Sequence, residues 1–223
     1  MGIRGQVPGR RQASFASLLA EPGAAEADAA FAATGPDSIA KFLFTSGSTK
    51  LPKAVITTQR MLCANQQMLL QTFPVFGEEP PVLVDWLPWN HTFGGSHNVG
   101  IVLYNGGSFY LDDGKPTAQG FAETLRNLKE ISPTAYLTVP KGWEELVNAL
   151  EQDAELRECF FKRMSLFFFA AAGLSQSVWD RLDRVAEQHC GERIRMMAGL
   201  GMTEAAPSCT FTTGPLSMAG YIG

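Results

Sequence analysis

The segment that most constrains the fold of this chain is a short apolar run, Leu166–Ala170, with the sequence Leu-Phe-Phe-Phe-Ala. A strand with one face in water alternates apolar and polar side chains, whereas a strand without this alternation is covered on both faces. We therefore predict that residues 165–170 form a central strand of a parallel sheet. The surrounding apolar stretch, residues 165–174, is too short to span a bilayer, so we expect no membrane association.

Strand-like and helix-like segments alternate along most of the chain. Strands that are joined through helices pair in parallel by crossover connections. We therefore predict an α/β fold with parallel or mixed sheets flanked by helices. The predicted strands are residues 39–44, 55–58, 82–84, 107–111, 134–139, 165–170, 193–197 and 208–213, and the predicted helices are residues 59–71, 97–104, 117–131, 141–150 and 175–190.

The first 38 residues differ in composition from the rest, being rich in Ala, Gly, Pro and Arg. We predict a loose leader over residues 1–38, with short helices near residues 15–19 and 24–33, and a folded domain over residues 39–223. A charged head followed by an apolar stretch would indicate a secretory signal, and we expect none here.

Composition excludes several classes of protein. The chain has 223 residues, of which 45% are hydrophobic and 18% charged, and this balance is typical of a folded domain. Its net charge of -4 is unlike that of a nucleic-acid binder. Four cysteines without a CxxC pair indicate reduced thiols and a cytoplasmic protein. His91 and His97 have a spacing that zinc fingers use, but no cysteine pair lies near them, so we predict no metal there.

The loop after the first predicted strand is rich in hydroxyl groups and contains two lysines. Residues 45–53 read Thr-Ser-Gly-Ser-Thr-Lys-Leu-Pro-Lys. Hydroxyls and free backbone N–H groups can surround phosphate oxygens, and lysine supplies compensating charge. A Walker A loop ends in Gly-Lys-Ser/Thr and opens a helix, so Pro52 weighs against a P-loop NTPase. An ordinary polar turn is the alternative.

This loop resembles the phosphate loop of the acyl-adenylate-forming superfamily, which comprises acyl-CoA synthetases, luciferases and peptide-synthetase adenylation domains. The family's loop has the form Thr-Ser-Gly-Ser/Thr-Thr-Gly-x-Pro-Lys-Gly, and the chain departs from it only at Lys50 and Ala54, where the family has glycine. The resemblance implies that the loop binds the phosphates of ATP. The implied phosphate-binding residues are Thr45, Ser46, Gly47, Ser48, Thr49 and Lys53.

A second loop, Trp86–Gly95, reads Trp-Leu-Pro-Trp-Asn-His-Thr-Phe-Gly-Gly. It resembles a Leu-Pro…His…Gly loop of the same family, whose histidine borders the acyl pocket. The resemblance implies that His91 orients the substrate carboxylate toward the α-phosphate, and that Phe93 and Gly94 shape the acyl pocket. The aromatic side chains of the loop could equally be core residues or the walls of a slot for a flat ring. They are Trp86, Trp89 and Phe93.

A third loop, Gly199–Glu204, is predicted to follow the strand at residues 193–197. It resembles the family pattern Tyr-Gly-x-Thr-Glu, with Leu200 in the place of the tyrosine that covers adenine. The resemblance implies that Thr203 contacts the α-phosphate and that Glu204 holds Mg²⁺. The implied nucleotide-binding residues of this loop are Gly199, Leu200, Gly201 and Thr203.

A weaker match to the family is the turn at residues 170–174, which reads Ala-Ala-Ala-Gly-Leu. The family has the pattern Gly-Ala/Gly-x-Pro-Leu at this place, against the adenine. The resemblance implies that Ala171 and Ala172 contact the nucleotide. Close packing of small residues is the alternative interpretation.

The resemblance covers residues 39–223 and is greatest to bacterial feruloyl-CoA synthetases, through the stretches STKLPKAV, DWLPWNHTFGG and AGLGMTE. It implies part of the large N-terminal domain of an acyl-CoA synthetase. A hydroxycinnamic acid such as ferulate would attack the α-phosphate of ATP, with Mg²⁺, and coenzyme A would then displace AMP. The implied catalytic residues are His91, Thr203 and Glu204, of which Glu204 also serves the metal.

Three functions remain open on the sequence. The chain could be part of a working ligase, a nucleotide- or acyl-binding remnant without turnover, or, least favoured, a P-loop NTPase. We expect the family's ribose-binding aspartate and C-terminal lid domain to be absent from these residues. The exact acid and the oligomeric state also stay open.

Overall fold

The computed structural model describes residues 13–20, 23–45, 51–117, 119–214 and 218–222. The chain divides into two units, residues 1–38 and residues 39–223. The first unit holds helices α1 (Phe15–Leu19) and α2 (Ala24–Ala32), at the places that the sequence predicts. The Ser14 hydroxyl caps α1 by accepting a hydrogen bond from the Ser17 N–H at 3.0 Å.

The second unit alternates strands and helices. Its strands are β1 (Ile39–Thr45), β2 (Lys53–Thr58), β3 (Val82–Asp85), β4 (Ser108–Leu111), β5 (Ala135–Thr138), β6 (Leu166–Phe169), β7 (Arg195–Gly201) and β8 (Ser208–Phe211). Its helices are α3 (Gln59–Thr72), α4 (Val75–Glu78), α5 (Val99–Asn105), α6 (Phe121–Glu130), α7 (Pro140–Leu150), α8 (Ala154–Phe161) and α9 (Gln176–Cys190), with a π-helix at Phe93–Asn98 and a 3₁₀ turn at Thr203–Ala205.

Strand β6 lies inside a four-stranded sheet of order β5–β6–β7–β8. The first three strands are parallel, and β8 runs antiparallel to β7. Phe167 and Phe169 pack on the side of α6 to α9, whereas Leu166 and Phe168 pack on the side of α3, α4 and α5. All four side chains are buried, which confirms the predicted central strand and the α/β fold class.

Two smaller sheets precede this one in sequence. Strands β1 and β2 form an antiparallel hairpin whose last pair is Thr45 and Lys53. Strands β3 and β4 pair in parallel. Thr134 links β3 to the main sheet, because its N–H donates to the Val82 carbonyl at 3.0 Å and its hydroxyl accepts from the Val82 N–H at 2.9 Å.

Several predicted boundaries were wrong, and local contacts give the reasons. The helix predicted at residues 97–104 begins earlier, because a π-helix at Phe93–Asn98 runs directly into α5. The helix predicted at residues 117–131 begins only at Phe121, because the Thr117 hydroxyl accepts from the Gly120 N–H and closes a turn first. Helices α4 and α8 were not predicted.

Strand β7 is also longer than predicted. It continues through Gly199–Gly201, because β8 folds back and pairs with these residues in antiparallel register. This stretch is therefore strand, and only the residues after it form a turn.

None of the helices within the described residues combines the length and the apolarity that a bilayer-spanning segment needs.

Candidate active site

A pocket of about 60 Å³ lies at the carboxyl ends of β6 and β7. Open α/β sheets bind their ligands at this edge. The pocket brings together the second loop, the small-residue turn after β6 and the glycines of β7, which lie far apart in sequence. Its lining residues are His91, Thr92, Phe93, His97, Phe168, Ala170, Ala171, Gly199, Leu200, Gly201, Pro207, Ser208 and Phe211.

His91 is exposed and lines this pocket. The Phe93 N–H donates to its Nδ1 at 3.2 Å, so in the neutral ring the proton lies on Nε2. The backbone holds the residue as well, because its carbonyl accepts from the Gly95 N–H at 2.9 Å. His91 therefore presents a hydrogen-bond donor to the pocket, which suits a carboxylate.

The two glycines of the second loop allow it to close tightly. A Cβ on Gly94 would lie 2.8 Å from the Leu87 and Pro88 carbonyl oxygens, and a Cβ on Gly95 would overlap the Trp89 carbonyl oxygen. Gly94 is buried and does not itself line the pocket, so it shapes the loop rather than the pocket wall.

Lys41 ties this loop to the β1–β2 hairpin. Its Nζ donates to the Gly95 carbonyl at 2.7 Å. Partial burial lowers the pKa of the Lys41 ammonium group. The bond holds the end of the second loop against β1.

A buried chain of hydrogen bonds supports the π-helix. The Asp85 carboxylate accepts from the Leu87 N–H at 2.8 Å and from the Asn98 Nδ2 at 2.8 Å. The Asn98 Oδ1 lies 2.9 Å from the His97 Nδ1. Burial raises the pKa of Asp85 to about 6, and burial lowers the pKa of His97 to about 4 although the Asn98 bond opposes this. His97 is therefore neutral at pH 7.

Aromatic rings hold the His97 imidazole in place. It stacks on Phe168 with ring centroids 5.2 Å apart and an interplanar angle of 21°. Phe93 meets it edge-on at 5.5 Å, and Phe211 lies at 6.3 Å. These three phenyl rings all line the pocket.

Three polar atoms of the pocket lining are buried and have no hydrogen-bond partner within the described part of the chain. They are the Thr92 Oγ1, the His97 Nε2 and the Ser208 Oγ. Buried polar atoms usually find a partner, and leaving one unpaired costs about 1–3 kcal/mol. These three atoms have almost no accessible surface, so they are unpaired groups of the packed wall.

The aromatic slot differs from the one that the sequence suggests. Of the three aromatic residues of the second loop, only Phe93 lines the pocket. Trp86 packs partly buried against the core, and Trp89 is exposed and meets Phe109 edge-on at 6.0 Å. Phe168 and Phe211 supply the remaining rings, because β6 and β8 carry them to the same sheet edge.

The predicted phosphate loop is described only at its ends. Ser46, Gly47, Ser48 and Thr49 lie outside the described residues. Thr45 is half-buried and Lys53 exposed, and as the last pair of the hairpin they bring both ends of the loop together.

Thr203 and Glu204 lie in the 3₁₀ turn that follows β7, with Thr203 half-buried and Glu204 exposed. This turn contacts β2, the strand that leaves the predicted phosphate loop. The buried Asn65 of α3 fixes the turn, since its Nδ2 donates to the carbonyls of Ala205 at 3.4 Å and Ser208 at 3.3 Å. Neither Thr203 nor Glu204 lines the pocket itself.

The small-residue turn and the glycine strand form one wall of the pocket. Ala171 lines it with a positive φ of 75°, a conformation that favours glycine, whereas Ala172 is exposed and does not line it. Gly199 and Gly201 lie in β7, and Leu200 between them is 46% exposed at the pocket. The Leu200 side chain is thus accessible to a ligand.

Six residues that form or support the site were not predicted from the sequence: Asn65, Asp85, His97, Asn98, Phe168 and Phe211. The available sequence signal for Asp85 was a carboxylate directly after a predicted apolar strand. Its partner Asn98 lies 13 residues away and could not be identified from the sequence. The phenyl rings had no signal of their own, because core residues and pocket residues have the same composition.

The family model for AMP-binding enzymes matches residues 7–223, and the chain belongs to this family. This confirms the predicted superfamily. The chain is 27% identical over 176 residues to the peroxisomal long chain acyl-CoA synthetase 6 of Arabidopsis thaliana, covering 73% of the chain and 23% of that protein. It is 30% identical over 113 residues to a medium-chain-fatty-acid–[acyl-carrier-protein] ligase of Teredinibacter turnerae, covering 51% of the chain and 14% of that protein.

Solved structures support the fold. A long-chain-fatty-acid-CoA ligase from Archaeoglobus fulgidus superposes with a TM-score of 0.62 at 21% identity, covering 79% of the chain and 34% of that structure. The ATP-bound MatB of Rhodopseudomonas palustris gives a TM-score of 0.62 at 24% identity, covering 85% of the chain and 34% of that structure. The fold is that of the N-terminal domain of these enzymes, and the chain spans only a fraction of its relatives' length.

Proposed function

We propose that this chain forms the acid-binding and nucleotide-binding part of an adenylate-forming acid–CoA ligase. The observation that carries the proposal is one apolar pocket with a histidine donor at its surface and the phosphate-loop hairpin nearby in the fold. A carboxylate held by the Nε2–H of His91 would be positioned for attack on the α-phosphate of ATP. Coenzyme A would then take the acyl group from acyl-AMP. This mechanism depends on positioning and charge neutralisation rather than on a group of perturbed pKa.

The nucleotide phosphates would be held from two sides. Residues 45–49 and Lys53 would hold them from the hairpin, with hydroxyls, backbone N–H groups and one ammonium group. Thr203 would contact the α-phosphate from the turn that packs against β2. The adenine would lie against Ala171 and Leu200, and an apolar side chain there offers packing without ring stacking.

Glu204 fits an ATP-linked Mg²⁺. Magnesium is commonly bound by one or two carboxylates together with substrate phosphates, and Glu204 is an exposed carboxylate next to the Thr203 hydroxyl. Among the described residues no group of three metal-ligating side chains exists, so the phosphates would have to complete the coordination. When bound, the ion would neutralise phosphate charge.

We further propose a hydroxycinnamic acid, such as ferulate, as the substrate. Phe93, Phe168 and Phe211 offer flat apolar surface to an aromatic ring. A fatty acid is the competing substrate, because the two relatives above are named for long-chain acyl-CoA synthesis and a medium-chain fatty acid.

A binding remnant without turnover is the second candidate. It would use the same apolar pocket for the acid and the same hairpin for ATP. Such a protein would bind ATP and an acid separately but would release no pyrophosphate from the mixture.

The test is ATP-dependent pyrophosphate release with ferulate, 4-coumarate, acetate and palmitate in turn, followed by thioester formation with coenzyme A. Preference for the hydroxycinnamates supports the proposal. Preference for palmitate would show that the substrate is a fatty acid and not an aromatic acid. Binding of ATP and acid without pyrophosphate release supports the remnant. Failure to bind either ligand overturns both candidates.

A further inference from the structure

Helix α3 begins directly after β2, so it continues from the hairpin that carries the predicted phosphate loop. The Thr58 hydroxyl caps the helix by accepting a hydrogen bond from the Met61 N–H at 3.3 Å. Two neighbouring amide side chains of α3, Asn65 and Gln66, are buried, with 2% and 4% of their surface exposed. Buried polar groups bond to partners inside the protein. The partners of these two amides therefore show what the helix holds in place.

Asn65 holds the 3₁₀ turn that follows β7. Its Nδ2 donates to the carbonyls of Ala205 at 3.4 Å and Ser208 at 3.3 Å, and its Oδ1 accepts from the Ser208 N–H at 3.4 Å. These bonds lie on both sides of Ala206, which has a positive φ of 65°, a conformation that favours glycine. A strained conformation persists only where the surrounding structure fixes it. Asn65 therefore fixes the shape of this turn.

Gln66 holds a different part of the site. Its Nε2 donates to the carbonyls of Ser96 at 3.1 Å and His97 at 3.4 Å, both in the π-helix. Gly100 makes room for this contact, because a Cβ at that position would overlap the Gln66 amide. The π-helix begins within the second loop, two residues after His91. Gln66 therefore fixes the segment that continues the predicted acid-binding loop.

The two amides act on separate loops although they are adjacent in sequence. Consecutive positions of an α-helix point about 100° apart, so neighbouring side chains reach different surroundings. Neither Asn65 nor Gln66 lines the pocket, so each acts on a ligand only through the backbone that it holds.

We propose that α3 positions the two halves of the site independently. Asn65 is a positioning residue for the nucleotide, through the turn that carries Thr203 and Glu204, and Gln66 is a positioning residue for the acid, through the loop that carries His91. This inference rests on the proposed function and deepens it. Small displacements of a loop that orients a reacting group are costly, so loss of either amide should weaken one ligand and spare the other.

The experiment uses two variants that remove the hydrogen bonds and keep the approximate size of the side chain, Asn65→Leu and Gln66→Met. Binding of Mg²⁺-ATP is measured with a fluorescent ATP analogue, and binding of ferulate by isothermal titration calorimetry. We expect Asn65→Leu to weaken Mg²⁺-ATP binding about tenfold and ferulate binding by less than about twofold. Gln66→Met should show the reverse pattern.

The crossed pattern distinguishes positioning from a general loss of stability, because destabilisation would lower both affinities together in each variant. Gln71→Met makes the same replacement at an exposed position of α3 and is the matched control, which should change neither affinity. Circular dichroism shows whether each variant is folded. If one is not, Asn65→Ala and Gln66→Ala remove the same bonds with a smaller side chain that favours the helix, and the same comparison decides.

The outcomes separate this inference from the proposed function. If each variant weakens both ligands equally, or weakens neither, the independent positioning is overturned and the proposed function stands. If the parent binds palmitate instead of ferulate, the crossed pattern measured with palmitate supports the positioning roles, and its absence overturns them. A parent that binds neither Mg²⁺-ATP nor either acid overturns the proposed function and the positioning roles together.

Discussion

The Asn98 side chain donates to the Asp85 carboxylate at 2.8 Å and thereby joins the end of β3 to the π-helix, 13 residues away in sequence. Both groups are buried, and Asn98 has no accessible surface. The bond has two consequences. It supplies one of the hydrogen bonds that the buried carboxylate needs, and it directs the amide oxygen toward His97.

Removing Asn98 should therefore destabilise the chain strongly. In Asn98→Ala the Asp85 carboxylate loses a donor and the His97 Nδ1–H loses its acceptor, and each buried unpaired group costs about 1–3 kcal/mol. We expect a loss of roughly 2–4 kcal/mol in the free energy of unfolding, measured with urea. Asn148→Ala, at an exposed position of α7, is the control and should lie within about 0.5 kcal/mol of the parent. Equal stability of the two variants would mean that the network contributes nothing.

The stability of the chain should depend on pH through the same network. The folded state holds the pKa of His97 at about 4, against 6.5 for the free side chain, so between these values the unfolded state binds more protons. This contribution to stability is present above pH 6.5 and is lost as the pH falls toward 4. Asp85 acts in the opposite direction, because its raised pKa of about 6 lets the folded state bind the extra proton between pH 6 and 3.8.

The variant His97→Gln separates the two groups. It removes the histidine titration and leaves that of Asp85, so the free energy of unfolding of the parent relative to the variant should fall as the pH is lowered from 7 to 4.5. The slope should be at most about 1.4 kcal/mol per pH unit. Urea unfolding of both proteins at four pH values measures it. A difference that is constant with pH would show that folding does not shift the pKa of His97.

The close packing of the second loop predicts different outcomes for two glycines. A Cβ on Gly95 would overlap the Trp89 carbonyl oxygen, whereas a Cβ on Gly173 would meet nothing within 4 Å. Gly95→Ala should cost roughly 2–4 kcal/mol, because backbone must shift to admit the methyl group. Gly173→Ala should be neutral or slightly stabilising. Thermal unfolding compares them, and equal melting temperatures would contradict the tight loop.

Much of this fold could be predicted because its strands are short apolar runs between amphipathic helices. Leu166–Phe169 is the clearest case, since four consecutive apolar residues without alternation are typical of a strand that is covered on both faces. The extension of β7 over Gly199–Gly201 could not be predicted, because glycine has low strand propensity and only the pairing with β8 imposes the extended conformation.

The site was predicted less completely than the fold. Motifs in single loops indicated His91, Thr203 and Glu204, and the structure places His91 at the pocket and the other two in the turn beside β2. The polar network around His97 depends on contacts between segments and on which ring nitrogen carries the proton. Neither of these is visible in a sequence without the folded geometry.

Glu204 is the candidate ligand of Mg²⁺ in the turn after β7. If this carboxylate holds the ion that accompanies ATP, then Glu204→Gln should weaken binding of Mg²⁺-ATP to the chain by about tenfold while leaving binding of metal-free ATP unchanged or improved, because one negative charge near the phosphates is removed. In an assay of pyrophosphate release, the loss of one electrostatic contact to the transition state should slow adenylation by roughly 10²-fold.

Glu192→Gln removes an equal charge from an exposed position just after α9 and is the matched control. A fluorescent ATP analogue titrated with and without Mg²⁺ measures the two affinities. If Glu204→Gln weakens both forms of ATP equally, or neither, then Glu204 does not bind the metal and the turn acts on the phosphates through Thr203 alone.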